Sequence, residues 1–226
     1  MIRPEYLQRI VETCQASARV LDVGGWYIPF NMATHVIDAM PHETRRRHEA
    51  VDPEHEERFS AETWVQADIC NGPWPYPDKH FDYAYCSHTL EDIRDPIHVC
   101  RELSRVAKAG YVEFPSRQRE IFSKVHLFEL KRAVGRIPAV GYTHHRWFVD
   151  VLPDRLVFLG KTNFAQSHPD FYITRRELGR KMTRDEQGSF MFWEGELKAE
   201  ERLILNDADL AAELRRFKQE TLRQLK

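Results

Sequence analysis

Cysteine is scarce in this chain of 226 residues. The four that occur, Cys14, Cys70, Cys86 and Cys100, form no CxxC or CxxH pair. That spacing excludes the common zinc and thiol–disulfide motifs and points to four reduced, packed thiols of a cytoplasmic protein. No apolar run approaches the ~20 residues of a spanning helix, so no membrane segment is expected. The first residues, MIRPEYLQRIVETC, carry charges and no uninterrupted apolar stretch, so no secretory signal is expected either. Charge of one sign is also missing. Lys and Arg number 33 against 35 Asp and Glu, a net charge of −2, which gives no global electrostatic reason to bind nucleic acid or an anionic membrane. There is no internal repeat and no low-complexity linker, which excludes a solenoid and a disordered tether. With 42% hydrophobic residues, a chain of this length builds its core without a metal or disulfide staple.

Periodic segments fill the first half. Residues 4–17 place Leu7, Ile10, Val11 and Cys14 at helical spacing behind Pro4. RVLDVGG reads as a short buried strand ending in glycine, and THVIDAM (34–40) as a second strand. HETRRRHEAVDPEHEER lacks a strong apolar stripe and reads as a solvated helix followed by a loop. TWVQADI is a third strand, NGPWPYPDKH a loop broken by three prolines, and FDYAYCS a fourth strand. Asp95 and Pro96 open a helix over 97–108, with Gly110 expected as its C-cap. YVEFP is a fifth strand. Apolar strands alternating with connections predict a mostly parallel sheet covered by helices on both faces. Such sheets bind ligands beyond the carboxyl ends of their strands, where strand order reverses.

The second half reads differently. A helix is expected over 120–134, one or two strands between GYTHHRWFVDVL and RLVFLGKTNF, a further strand or hairpin in SFMFWEGELKAEERLIL, and a last amphipathic helix from Asp207 or Asp209. The fold class is α/β, doubly wound, with a C-terminal α+β extension packed on it. Residues 1–116 form the ligand-binding half and 117–226 the remainder of the sheet with decoration, as one compact unit. The last helix suits a homo-oligomer as well as a core.

Acids and small polar groups converge on the strand ends: Asp22-Val-Gly-Gly, Asp38, Asp68 and Ser87-His88. Gly24 and Gly25 let a ligand touch backbone amides. A carboxylate after the second strand accepts from the hydroxyls of a ribose, and one after the third from an exocyclic amine. Taken singly, each residue is an ordinary turn or strand-end cap; their joint order is what points to a site.

Residues 19–116 resemble the class I S-adenosylmethionine-dependent methyltransferases. RVLDVGG is similar to their first motif. The run VQADICNGPWPYPDKHFDYAYCSHTLEDIRDPIHVCRELSRVAKAGYVEFPS is similar to their acid, proline-rich loop, FD strand, LE turn, helix and closing strand. The resemblance implies a Rossmann-like fold and S-adenosyl-L-methionine as cofactor. It implies Gly24 and Gly25 at the methionine and ribose portion, Asp38 on the ribose, Asp68 and Ile69 on the adenine, Ser87 and His88 along the sulfonium side, and Asp22 serving the loop and the amino group. Trp26 and Ile28 stand where the family has further glycines, so Trp26 joins the expected lining. Asp92 stands where histidine is common. Only 26–33 separate the first two strands, too few for a crossover helix.

A hydroxyl acceptor needs a base of near-neutral pKa. His88, Glu91, His144 and His145 are the candidates. Glu91 pairing with Arg94, and an exposed or merely structural histidine pair, are the plainer alternatives. His144, His145 and Glu113 offer no metal-ligand spacing, and no metal is expected. Trp147, Phe148 and Trp193 are expected in the core; Arg117 and Arg119 either meet an anionic substituent or are solvated. The expected activity is methyl transfer to a small polar acceptor, a saccharide or another hydroxylated metabolite. A methyltransferase-fold binding or regulatory protein without catalysis is the alternative. A nicotinamide-dependent oxidoreductase is disfavoured by the missing GxGxxG.

Overall fold

The computed structural model describes residues 4–14, 18–45, 56–122, 133–135, 140–163, 165 and 171–225. Its centre is a six-stranded sheet of order β3-β2-β1-β4-β5-β8. The strands are β1 Val20–Val23, β2 His35–Asp38, β3 Trp64–Gln66, β4 Phe81–Ser87, β5 Ala107–Pro115 and β8 Gly188–Glu194. All pairs are parallel except β5 with β8. From β1 the chain moves outward to β2 and β3, then returns to the other side of β1 as β4, so the order reverses between β1 and β4.

Side chains alternate across this sheet as the pleat requires. Phe81, Ala84 and Cys86 of β4 face one core with Leu21 and Val23; Tyr83 and Tyr85 face the other with Val20 and Val36. Helix α1 (Pro4–Thr13) covers the second face through Ile10. Helix α2 (Pro96–Val106) covers the first with Val99, Cys100, Leu103 and Val106. Asp95 caps α2 by accepting from the His98 amide at 2.9 Å, behind a first-turn proline, as the sequence predicts.

Gly110 is not the C-cap of α2. The helix passes at Ala107 directly into β5, and Gly110 lies inside that strand. A Cβ there would stand 2.4 Å from the Ala84 carbonyl oxygen and 2.7 Å from the Trp193 ring, so the position is reserved for a close approach. Residues 24–34 join β1 to β2 without a helix. Phe30, fully buried and stacked on Tyr85 at 4.7 Å, fills that face instead.

Past β5 lies a short helix α3, Arg117–Glu120. It begins before the helix expected over 120–134, and Ile121 and Phe122 leave it for a turn and a bridge; 123–132 of that expectation lie outside the described residues. The solvated helix expected from 42 onward is a single 3-10 turn, His42–Thr44, with 46–55 outside the described residues. Strands β6 Trp147–Val151, β7 Leu156–Gly160 and β9 Ala199–Glu201 make a second sheet, order β6-β7-β9. Thus β8 and β9 do not form a hairpin; β9 runs parallel to β7. Leu156 and Phe158 join the core beneath α2. A four-residue helix α4, Arg175–Leu178, and a last helix α5, Asp207–Leu225, share a third core through Leu178, Leu210 and Leu214. Asn206 caps α5, accepting from the Asp209 amide at 2.9 Å.

Candidate functional site

A cavity of about 630 Å³ opens beyond the carboxyl ends of β1, β2, β3 and β4. This volume falls within the range of small-molecule and cofactor sites. Gly24, Trp26, Asp38, Asp68 and Ile69 line one part of it; His88, Glu91, His144 and His145 line another. Residues from 24 to 145 thus meet at the point where strand order reverses.

Three expected residues lie outside the lining. Asp22 is 1% exposed and accepts from the Phe30 amide at 2.8 Å; its carboxylate braces the 24–30 loop from beneath. Burial pushes its pKa up to about 7, opposed by the Phe30 amide and reinforced by the charge of Asp38. Gly25 is packed onto that carboxylate, which a Cβ would meet at 2.1 Å. Ser87 ends β4 in register with Glu113, and its neighbour Thr89 lines the cavity in its stead. Gly24 has φ of +75°, and a Cβ there would strike the Thr89 side chain at 2.3 Å, so glycine is required on both counts.

Asp38 is 7% exposed. Its Oδ2 accepts from the Trp26 amide at 3.1 Å and its Oδ1 from the Met40 amide at 2.7 Å. Burial raises its pKa against the pull of those two amides. Each oxygen keeps a lone pair for a ligand. Trp26 stays on the cavity lining with its indole fixed by donation to Thr44 Oγ1 at 2.8 Å. Asp68 accepts from Arg94 Nη1 at 2.5 Å and from the Cys70 amide at 3.0 Å. The Arg94 hydrogen bond, then that amide, hold its pKa below the usual carboxylate value. Arg94 therefore pairs with Asp68, not with Glu91.

Glu91 instead faces His88. The imidazole stands between two acids, Nδ1 3.4 Å from Glu91 Oε1 and Nε2 3.3 Å from Glu113 Oε1. Burial alone would lower the His88 pKa; the hydrogen bonds to Glu113 and Glu91 outweigh it and raise the pKa to about 9. At neutral pH His88 is a cation, which removes it from the candidate bases. Its φ of +53° is uncommon for a non-glycine residue and belongs with the strained backbone that clusters at functional sites.

His145 has a different environment. It is 6% exposed, stacked on Tyr142 at 4.4 Å, with Nδ1 2.6 Å from Glu120 Oε1. Burial would raise the Glu120 pKa, but the His145 hydrogen bond and the Lys161 charge together bring it below the ordinary value. An ionised Glu120 only accepts, so Nδ1 donates to it and Nε2 is the ring edge turned toward Asp92, 3.7 Å from its Oδ1. Lys161 donates to the other Glu120 oxygen and to the Tyr142 carbonyl. His144 is exposed at the cavity rim. Sequence reasoning missed Glu120, Lys161, Tyr142 and Thr89. Only Tyr142 carried a signal, its place within GYTHH; Glu120 and Lys161 are joined to His145 by tertiary folding alone.

A smaller cavity of about 250 Å³ shares His88, Pro115 and Tyr142 with the larger one, and its other walls include Tyr6, Tyr111, Glu113, Arg119 and Phe190. Arg117 is neither solvated nor in either cavity. It is 3% exposed, bonded to Asp150 at 2.5 Å and stacked over Phe217 at 3.9 Å. Phe148 and Trp193 are buried, and Trp147 packs against the core. No helix among the described residues is long and apolar enough to cross a membrane.

Residues 32–112 match a family model described as Methyltransferase domain. That stretch, 81 of the 226 residues, is similar to a methyltransferase domain. The match runs from just past the Gly24–Gly25 turn to β5, and the family generally uses S-adenosylmethionine. No curated protein matches the sequence significantly. Among solved structures the chain is similar to the (4+2)-cyclase SpnF, at 19% identity over 50% of this chain and 45% of that one, TM-score 0.35. It is similar to an S-adenosylmethionine-dependent methyltransferase from Mesorhizobium loti, at 13% identity over 70% and 62%, TM-score 0.37. A third is the YcgJ protein of Bacillus subtilis, at 19% identity over 60% and 59%, TM-score 0.33. The chain spans from 45% to 62% of the length of these structures.

Proposed function

We propose that the protein transfers a methyl group from S-adenosylmethionine to a hydroxyl of a small polar acceptor, a saccharide or another hydroxylated metabolite. The observation that carries this reading is the shared cavity: the strand-end acids Asp38 and Asp68 and the Glu120-oriented His145 line one space within a methyltransferase domain.

The cofactor supplies an activated methyl group on a sulfonium centre. The lining fits it. Gly24 leaves backbone open at the tip of β1, Asp38 holds a lone pair on each oxygen for ribose hydroxyls, and Asp68 with Ile69 suits an adenine amine and face. A buried, unpartnered Glu91 Oε2 lies on the same lining and suits the positive sulfonium side. His145 Nε2 would accept the proton of the acceptor hydroxyl, and Glu120 would stabilise the imidazolium that results. Tyr111, Tyr6 and Phe190 offer apolar ring faces, and Glu113 with Arg119 offers polar edges, for a hydroxylated ring in the smaller cavity.

The test is transfer of isotope-labelled methyl to a panel of sugars and hydroxylated metabolites. His145→Ala is expected to slow transfer by about 10²–10⁴-fold with cofactor affinity within about twofold of the parent. Cofactor binding with no transfer to any acceptor would leave the non-catalytic binding protein as the better reading.

A further inference from the structure

We propose that Asp92, His144 and His145 form a binding site for a divalent transition-metal cation at the acceptor side of the cavity. One ligand atom from each lies within 4.8 Å of the other two. His145 Nε2 and Asp92 Oδ1 stand 3.7 Å apart. Ligand bonds of about 2.0–2.2 Å hold neighbouring donor atoms roughly 3–3.7 Å from one another, so this pair already has the separation a cation requires. His144 is exposed, and its ligand nitrogen lies within the same 4.8 Å.

Three further observations separate this cluster from a chance meeting of polar groups. Asp92 Oδ1 is a buried atom without a hydrogen-bond partner. Buried carboxylate oxygens of this kind are costly unless something positive meets them. The Glu120–His145 hydrogen bond is the arrangement by which metal-bound histidines are oriented, the carboxylate fixing one nitrogen and leaving the other to the metal. The two ligand segments are also tied together. The Arg146 amide donates to the Glu91 carbonyl at 2.7 Å, and the Trp147 indole donates to the Ile93 carbonyl at 2.8 Å.

Two imidazoles and one carboxylate suit zinc, cobalt or iron(II) and leave positions open for an exogenous oxygen. The site deepens the reading above, on which its role in transfer rests. With a cation present, His145 serves as a ligand, and the acceptor hydroxyl gives its proton to solvent as it binds the metal.

The experiment is titration of chelator-treated, untagged full chain with Co²⁺, followed by visible absorption, and with Zn²⁺, followed by calorimetry. Both are run without S-adenosylmethionine. One equivalent is expected to bind, and Asp92→Asn and His144→Ala are each expected to weaken binding by more than about tenfold while the circular dichroism spectrum is kept. No stoichiometric binding by the folded parent, or equal affinity in the folded Asp92→Asn variant, overturns the site. Cofactor affinity, measured separately on the same proteins, tells failure of the metal site from failure of the methyltransfer reading.

Discussion

Asp22 illustrates how a motif residue acts beneath a site rather than in it. Its carboxyl is buried at the base of the 24–30 loop, and burial raises its folded-state pKa to about 7, well above the ordinary carboxyl value of 3.8. A raised carboxyl pKa means that the folded chain holds a proton the unfolded chain has lost between those two values. Stability is then expected to fall as pH rises from about 4 to about 7. Asp22→Asn removes this contribution. Urea unfolding at pH 5 and pH 7.5 is expected to show a pH-dependent loss smaller in the variant by about 2–4 kcal/mol; equal slopes would place the Asp22 pKa near its ordinary value. That Asp38 and Asp68 line the cavity was legible because strand ends are where a parallel sheet presents polar groups to a ligand. Gly25 and Ser87 were misplaced because sequence spacing does not say which way a residue at a strand end faces. His88 was legible as a cavity residue but not as a cation, since Glu113 reaches it only through the pairing of β4 with β5.

At the scale of elements, α2 and the proline-rich loop form one unit. Lys79 Nζ donates to the carbonyls of Ser104, Ala107 and Gly195 at 2.6, 3.0 and 2.7 Å. A cation at a helix C-terminus satisfies its open carbonyls and meets the negative end of its dipole. Arg105 holds the same loop through the carbonyls of Trp74 and Tyr76. Lys79→Met keeps the stem and removes the charge. It is expected to cost about 1–3 kcal/mol in chemical denaturation, with no change in cofactor affinity, because Lys79 lies away from the cavity. Strands β4 and β5 and helix α2 were readable from periodicity and capping. The misassigned Gly110 was not, since a glycine after a helical stripe looks the same whether it ends a helix or admits a tryptophan from β8. The missing first crossover helix was legible from chain length alone: too few residues lie between the first two strands.

For the molecule as a whole, the second half supplies what the first cannot. Strand β8 closes the sheet beside β5, the β6-β7-β9 sheet covers the α2 face, and the 140–146 segment brings the histidines to the cavity. Long-range pairings of this kind have no local sequence signal, which is why only the first half resembled a family. The α5 core is separate from the cavity. Leu214, 1% exposed within it, is expected on truncation to alanine to lower stability by about 2–5 kcal/mol while S-adenosylmethionine affinity stays within about twofold; a matching loss of affinity would show that α5 shapes the site.

The central claim is that the cavity beyond β1, β2 and β3 holds S-adenosylmethionine. Calorimetric titration of the parent chain and of Asp38→Ala with S-adenosylmethionine and S-adenosylhomocysteine tests it most directly. The account predicts saturable one-to-one binding of both by the parent, lost in a variant whose circular dichroism spectrum is unchanged. Equal affinity in the folded variant, or no binding of either compound by the folded parent, would contradict it.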